Sequence, residues 1–304
     1  MPPTTQRKPN LALRATIIQA IRNFFGEKGF LEVETPIRIP APIPEAHIGP
    51  VRSENWFLQA SPEISMKRLL ARGYDRIFQI SKCFRKQERG NRHLPEFTLL
   101  EWYCAHKDYE FLMRQTTQLV RFVARHIHAC GMPTAKGLAA DIGKTWDRLT
   151  VAAAFGKYTD TTAQEALAQG SFDELMGIRI EPNLGVKRPL FLTDYPVECG
   201  SLARKKAEDP TVVERFELYV AGLELCNGFS ELTCAGEQRK RFRKEQHQAR
   251  MAGKKPAPLP EKFLADLAKM PPAAGNALGI DRLVMLFAGC KAIDAVVAFT
   301  PEEL

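Results

Sequence analysis

The chain has 304 residues, 45% of them apolar, which suffices for one large domain or two modest ones around a substantial core. The opening MPPTTQRKPN lacks an apolar signal stretch, and no later apolar run reaches the roughly 20 residues of a membrane span, so a soluble, unexported, cytoplasmic protein is expected. Seven cysteines, odd in number and never spaced as CxxC, argue for reduced thiols and against a zinc site or a disulfide frame, and a net charge of +8 suits an anionic partner without choosing between nucleic acid and an acidic protein.

In chain order, Leu13, Ile17, Ile21, Phe24 and Phe25 recur at helical spacing. Gly26 and Gly29 end that helix before FLEVETP, a strand closed by Pro36. Pro40, Pro42 and Pro44 in IPAPIPEAHIGP predict an extended, mobile loop. A strand follows at Trp56 to Gln59, then a short helix with Ser61 as cap, Pro62 in its first turn and Glu63 at the positive end of its dipole. Residues 76–103 read as strand, loop, strand. Residues 110–130 look helical, with His126 and His128 too close in sequence to share a helix face as metal ligands. Residues 134–188 are expected to form a small helical insertion with loops. Strand patterns return at PLFLTDYPVE and at RFELYVAGLELCNGFSELTC, the latter split near Gly222. The basic segment from Gln238 to Pro260 reads as a solvated helix and loop, and GNALGIDRLVMLFAG as a glycine-containing turn leading into an apolar helix. Strands in clusters, not alternating with helices, predict an α+β fold with an antiparallel sheet flanked by helices, in a single domain over residues 1–304.

Phe97, Leu99, Glu101 and Tyr103 share one parity, so a strand projects all four to one side: a flat ring for a base, then a carboxylate and a phenol for an amine. Arg85 and Arg282 match phosphate oxygens, and Gly279 lets a backbone come close to a ligand. Glu217, Glu224 and Glu231 form a second carboxylate set, the oxygen chemistry that magnesium prefers beside ATP phosphates. Glu224 and Glu231 differ in parity, so a bulge near Gly228 is predicted to bring them to one face.

At these residues the chain resembles the catalytic domain of class II aminoacyl-tRNA synthetases, most closely the lysyl type. Residues 11–36 look like motif 1, FRKQERGNRHLPEF within 76–103 like motif 2, and GNALGIDR within 275–289 like motif 3. SPEISMKRLL, DYPVECGSLAR, RFELYV and ELCNGFSEL look lysyl-specific. The resemblance implies Arg85 on the α-phosphate of ATP, His93 and Arg282 on the outer phosphates, and Phe97 on the adenine. It also places Leu225, Asn227 and Gly279 in the ATP site and Glu217 and Glu224 on Mg2+. Glu63 and Glu101 would take the substrate's amino group near the reacting carboxylate, Tyr103 and Glu231 its distal amine, and Ser61 also belongs to the lysine site. A homodimer formed through motif 1 is implied as well.

Three departures refine this expectation. Motif 1 begins within about a dozen residues of the start, so no OB-fold precedes it and tRNA recognition through an anticodon domain is not expected. Ala277 stands in the lysine pocket where lysyl-tRNA synthetases have glycine. Both features resemble truncated paralogues that join (R)-β-lysine to a lysine of elongation factor P, and the basic segment resembles an extension in them. Gln87 falls where motif 2 has glutamate, leaving Gln87 or Glu88 for that role, and Leu94 replaces an asparagine, so only its backbone could make a polar contact with ATP. The expected activity is ATP-dependent activation of (R)-β-lysine and its transfer to elongation factor P. A lysyl-tRNA synthetase fragment and a non-catalytic amino-acid sensor are the alternatives.

Overall fold

A computed structural model describes residues 4–45 and 49–304. The expected mobile loop therefore lies partly outside the described residues, at 46–48. Helix α1 (Thr4–Glu27) buries Leu13, Ile17, Ile21, Phe24 and Phe25 at their helical spacing. Phe25 stacks on Phe78 with centroids 4.7 Å apart and meets Trp102 at 5.4 Å; each such buried ring contributes up to about 3 kcal/mol. Gly26 lies inside the last turn. The stop comes at Gly29, whose φ of 70° lets Phe30 N–H reach back to the Phe25 carbonyl.

Eleven strands are described. β1 (Leu31–Glu32) is an edge; β2 (Arg38–Ile39), β3 (Val51–Ser53) and β4 (Trp56–Leu58) form a small sheet in the order β2-β4-β3. β5 (Arg76–Phe84), β6 (Glu96–Ala105), β7 (Asp147–Thr150), β8 (Leu190–Pro196), β9 (Val212–Val220), β10 (Leu223–Ser230) and β11 (Ala273–Gly279) complete an eight-stranded sheet, ordered β1-β5-β6-β11-β10-β9-β8-β7. All its pairs are antiparallel except β1 with β5 and β7 with β8 at the two margins. The class is α+β.

Helix α2 (Glu63–Leu70) starts one residue later than expected. Pro62 is its N-cap, and the Ser61 hydroxyl accepts from Glu63 N–H while also donating to Glu101. α3 (Tyr109–Ala129) is capped by Asp108, which accepts from Phe111 N–H. Residues 134–188 do carry short helices, α4 (Leu138–Gly143), α5 (Val151–Tyr158), α6 (Ala163–Gln169) and α7 (Phe172–Leu175), but they also supply β7. Four residues, DRLT, are too few to show alternation in the sequence. The β9–β10 hairpin turns at Ala221 and Gly222, both with positive φ, as a tight two-residue connection requires. The basic run is α8 (Ala235–Met251), followed by α9 (Glu261–Leu267). GNALG, expected to be a turn, is strand β11, clamped between β6 and β10 and feeding α10 (Ile280–Ala288). Side chains of α1, α3 and α10 form the main core on one sheet face, and α2, α8 and α9 enclose a smaller one on the other. Among the described residues no helix is long and apolar enough to cross a membrane.

Candidate active site

The face of the sheet away from α1 carries a cavity of about 410 Å³, within the size range of small-ligand sites. Phe97, Leu99, Glu101 and Tyr103 of β6 line it together, as their parity requires, with Gly275, Ala277 and Gly279 of β11 beside them. The ladder runs regularly through Gly228, so the bulge predicted there is absent. The register instead slips between Glu224 and Cys226, at the buried, cavity-lining Leu225. That extra residue corrects the parity: Glu224 reaches the cavity with Asn227 and Phe229. Glycine at 228 serves packing, since a Cβ there would lie 2.6 Å from the Phe216 ring.

One end of the cavity is acidic. Glu101 is almost fully buried and accepts from Ser61 (2.5 Å) and from the Tyr103 hydroxyl (2.8 Å). Burial, reinforced by the Glu63 charge, pushes its pKa up to about 7. Glu63 lines the cavity, whereas Glu231 does not reach its surface. The Glu231 carboxyl is sealed one layer behind, in an ion pair with Lys67, and burial, opposed chiefly by that ammonium, raises its pKa to about 8. Gly275 makes room for this layer. A Cβ there would sit 2.2 Å from the Tyr103 ring and 2.6 Å from Glu231 Oε1.

The other end is cationic. Arg85, just past β5, lies 5.0 Å over the Phe97 ring, so cation and aromatic face form one surface. Glu88 lines the cavity 3.7 Å from Arg85; Gln87 is exposed at a turn with φ of 66° and takes no part in the lining. Arg282 donates to Glu224 Oε2 at 3.0 Å and to His93 Nε2 at 2.6 Å, which makes Nε2 the acceptor and puts any single ring proton on Nδ1. Burial would raise Glu224, but the guanidinium groups around it, Arg282 first and then Arg215 and Arg85, together hold the carboxyl below the ordinary value. Burial, with the Arg282 charge second, lowers His93. Leu94 is a buried part of the wall. The loop between β5 and β6 is fixed from outside: Arg89 pairs with Asp294 and Glu302, and Arg92 donates to the Gly222 carbonyl.

A family model described as tRNA synthetases class II (D, K and N) matches residues 3–303. The chain belongs to the class II tRNA synthetases. It is 37% identical, over 97% of its length and 96% of the relative's, to a Salmonella dublin protein named elongation factor P--(R)-beta-lysine ligase. Proteins of the same name from Salmonella paratyphi B and Salmonella heidelberg are 36% identical over the same shares.

Within this synthetase site several side chains escaped the sequence reading. Asp281, next to Arg282, accepts from Thr98 N–H at 2.7 Å and from Arg14 at 2.6 Å, locking β6 to α1 and α10. Arg215 lines the cavity and bridges Asn227, the Cys199 carbonyl and Glu217; its alternation with Glu217 along β9 was the available signal. Glu45 also lines the cavity, and burial, opposed by Arg85, lifts it to about 7. Glu217 of the expected metal pair lies outside the cavity lining, and its oxygens accept from Tyr195, Tyr219 and Arg215 at 2.6, 2.8 and 2.7 Å. Among the described residues no group of three or more His, Cys, Asp or Glu side chains is placed to hold a metal ion.

Proposed function

We propose that this class II synthetase activates (R)-β-lysine with ATP and transfers it to the ε-amine of a lysine on elongation factor P. The observation that carries the reading is one cavity with two opposite poles, Arg85 and Arg282 at one end and Glu63 and Glu101 at the other, in a chain 37% identical over nearly its whole length to an elongation factor P ligase. A diamino acid needs carboxylates for its ammonium groups and fixed positive charge where its own carboxylate meets phosphorus.

In the first step a substrate carboxylate oxygen attacks the α-phosphorus in line. The new O–P bond forms as the bond to pyrophosphate breaks. Arg85 neutralises charge on the α-phosphoryl oxygens, Arg282 with His93 takes the outer phosphates, and adenine stacks on Phe97 under the Arg85 guanidinium. Glu88, not the exposed Gln87, is the motif 2 carboxyl that reaches the nucleotide, and Leu225, Asn227 and Gly279 shape its pocket. Magnesium fits Glu224, which offers the cavity a carboxylate held ionised by Arg282; phosphate oxygens would complete its coordination, and bound there it would offset charge on the departing pyrophosphate. Glu217 supports Asn227 from behind through Arg215. In the second step the deprotonated acceptor amine attacks the carbonyl, forming the amide C–N bond and releasing AMP.

The edge strand β1, with Leu31 half exposed, supports a homodimer through motif 1, and seven free cysteines suit the cytoplasm. Incubation with ATP, radiolabelled (R)-β-lysine or α-lysine, and either elongation factor P or tRNA tests the reading. Label should pass to the protein. Label passing mainly to tRNA would overturn it in favour of a lysyl-tRNA synthetase activity, and absence of amino-acid-dependent exchange between pyrophosphate and ATP would make the chain a non-catalytic sensor.

A further inference from the structure

Lys67 is 1% exposed, yet it carries a charge into the protein. Its ammonium contacts Glu63 Oε1 at 2.5 Å, one helical turn back on α2, and Glu231 Oε2 just beyond β10. It also lies 5.1 Å from the centroid of Phe229, whose ring lines the cavity while Lys67 does not. The ammonium is therefore behind the wall, out of reach of a ligand, and touches two of the three carboxyls gathered at the acidic end. An apolar side chain of similar length would fill the same space without the desolvation that a buried ion pair suffers, so packing alone does not explain a lysine here.

We infer that Lys67 is a positioning residue of the amino-acid pocket, holding Glu63 and Glu231 in place and setting the charge that the pocket presents to a diamino acid. The inference rests on the functional reading above. Glu63, Glu101 and Glu231 carry three negative charges when ionised; Lys67 cancels one and leaves two, the number of ammonium groups on lysine or β-lysine. The groups facing this cluster are Glu63 from α2, Glu101 and Tyr103 from β6, and Glu231 from beyond β10; Glu45, at the cavity rim, is opposed by the Arg85 charge, and the neighbouring Arg68 is turned away to Asp266. Without the ammonium, three carboxyls would converge on two cations and one would retain a proton. Both desolvation and the two carboxylates act on Lys67, and the carboxylates prevail, holding its pKa above the ordinary value, so it stays charged across the working range.

Two variants separate charge from packing: Lys67→Met keeps the stem, and Lys67→Gln keeps a donor for Glu231. Amino-acid-dependent exchange by the unaltered protein is measured first. Its absence would sink the functional reading, whereas its presence with unaffected variants would sink this inference alone. Each variant is expected to raise the KM for the amino acid roughly tenfold or more at neutral pH, because one partner of a desolvated charge pair is gone. The KM for ATP should stay within about twofold, and the pH above which amino-acid KM improves should move upward, since loss of a cation raises its carboxyl neighbours. Folded variants with wild-type KM and pH profile overturn the inference. So does recovery of both by Lys67→Gln, which would reduce Lys67 to a hydrogen-bond donor, and so does failure of both variants to fold, which would assign it to folding alone.

Discussion

Gly275 faces the two groups of the acidic end most sensitive to displacement. In Gly275→Ala the new Cβ would lie 2.2 Å from Tyr103 Cε1, so the ring must recede about 1.2 Å to reach the 3.4 Å of ordinary contact. The ring is buried in the small core, and its hydroxyl is fixed 2.8 Å from Glu101, so a shift of that size breaks the hydrogen bond. Relief on the other side is closed by Glu231 Oε1, 2.6 Å from the same Cβ. Overpacking costs about 1–3 kcal/mol and loss of a hydrogen bond to a charged group about 1.5–3 kcal/mol. With part of this falling on binding, the KM for the amino acid should rise roughly 10- to 100-fold at about 1.4 kcal/mol per decade. The KM for ATP should change less than about twofold, because Arg85 and Phe97 form the opposite end. Amino-acid-dependent exchange of pyrophosphate with ATP measures both constants, and circular dichroism checks the fold. A folded variant with unchanged amino-acid KM would show that Tyr103 and Glu231 are not held as described.

Arg85→Ala should cut exchange by about 10²- to 10³-fold with circular dichroism intact, since it removes fixed charge from a developing phosphoryl charge; retention of activity would transfer that role elsewhere. Ala277→Gly should raise kcat/KM for α-lysine relative to (R)-β-lysine, and unchanged selectivity would show that the methyl does not read the substrate. The pH dependence follows from Glu101 and Glu231, raised to about 7 and about 8. Both bind protons more tightly folded than unfolded, so their contribution to stability is fully present below about 4.5 and is lost as pH rises through 7 to 8. Ammonium binding needs them ionised, so amino-acid KM should fall over that same window; a flat profile between pH 6 and pH 8.5 would contradict the assignment. On α8, Arg239 is bound to Glu261, and Arg241 to Glu237 and the Ser201 and Ala203 carbonyls. The exposed Lys240, Arg243 and Lys244 are therefore the ones to neutralise. Their change to glutamine should slow transfer to elongation factor P and leave exchange alone; if both steps respond, or neither does, the helix does not hold the acceptor.

The parts of the site legible in the sequence are those that depend on local periodicity. Alternation along β6 placed four cavity residues correctly, because a strand's side-chain period tolerates no other arrangement. The α1 face was legible for the same reason at a period of 3.6. β11 was not: AAGNALG holds none of the β-branched or aromatic residues that mark a strand, since its glycines and alanines leave room for side chains of its neighbours. The bulge at Leu225 was hidden because that residue carries no conformational flag, whereas Gly228, which does look like one, is required by the Phe216 ring. Between Gln87 and Glu88 composition offers no choice. Backbone geometry separates them, with Gln87 exposed at a positive-φ turn and Glu88 lining the cavity, which supports Glu88 for the proposed role. Lys67 is the extreme case, since an ordinary amphipathic helix position acquires its meaning only from Glu231, 164 residues further along the chain.

The register of β11 carries this logic to specificity. Ala277 pairs with Glu101 on one side and Asn227 on the other, so its methyl sits in the same row as the carboxyl proposed to hold the substrate's inner amine. Two residues along, Gly275 pairs with Tyr103, where a methyl would press on the Tyr103 ring and Glu231. On the proposed binding mode, moving the amino group one carbon further from the reacting carboxylate would displace it along this row. On the proposed roles the chemistry at phosphorus would be unaffected, because the substrate carboxylate would stay beside Arg85. A single methyl is worth only about 1 kcal/mol as packing, yet it also sets whether an ammonium can stay in line with Glu101, and loss of a charge-assisted hydrogen bond costs about 1.5–3 kcal/mol. Discrimination between lysine isomers is thus expected to come from the misplaced ion, with the methyl acting as the stop that misplaces it.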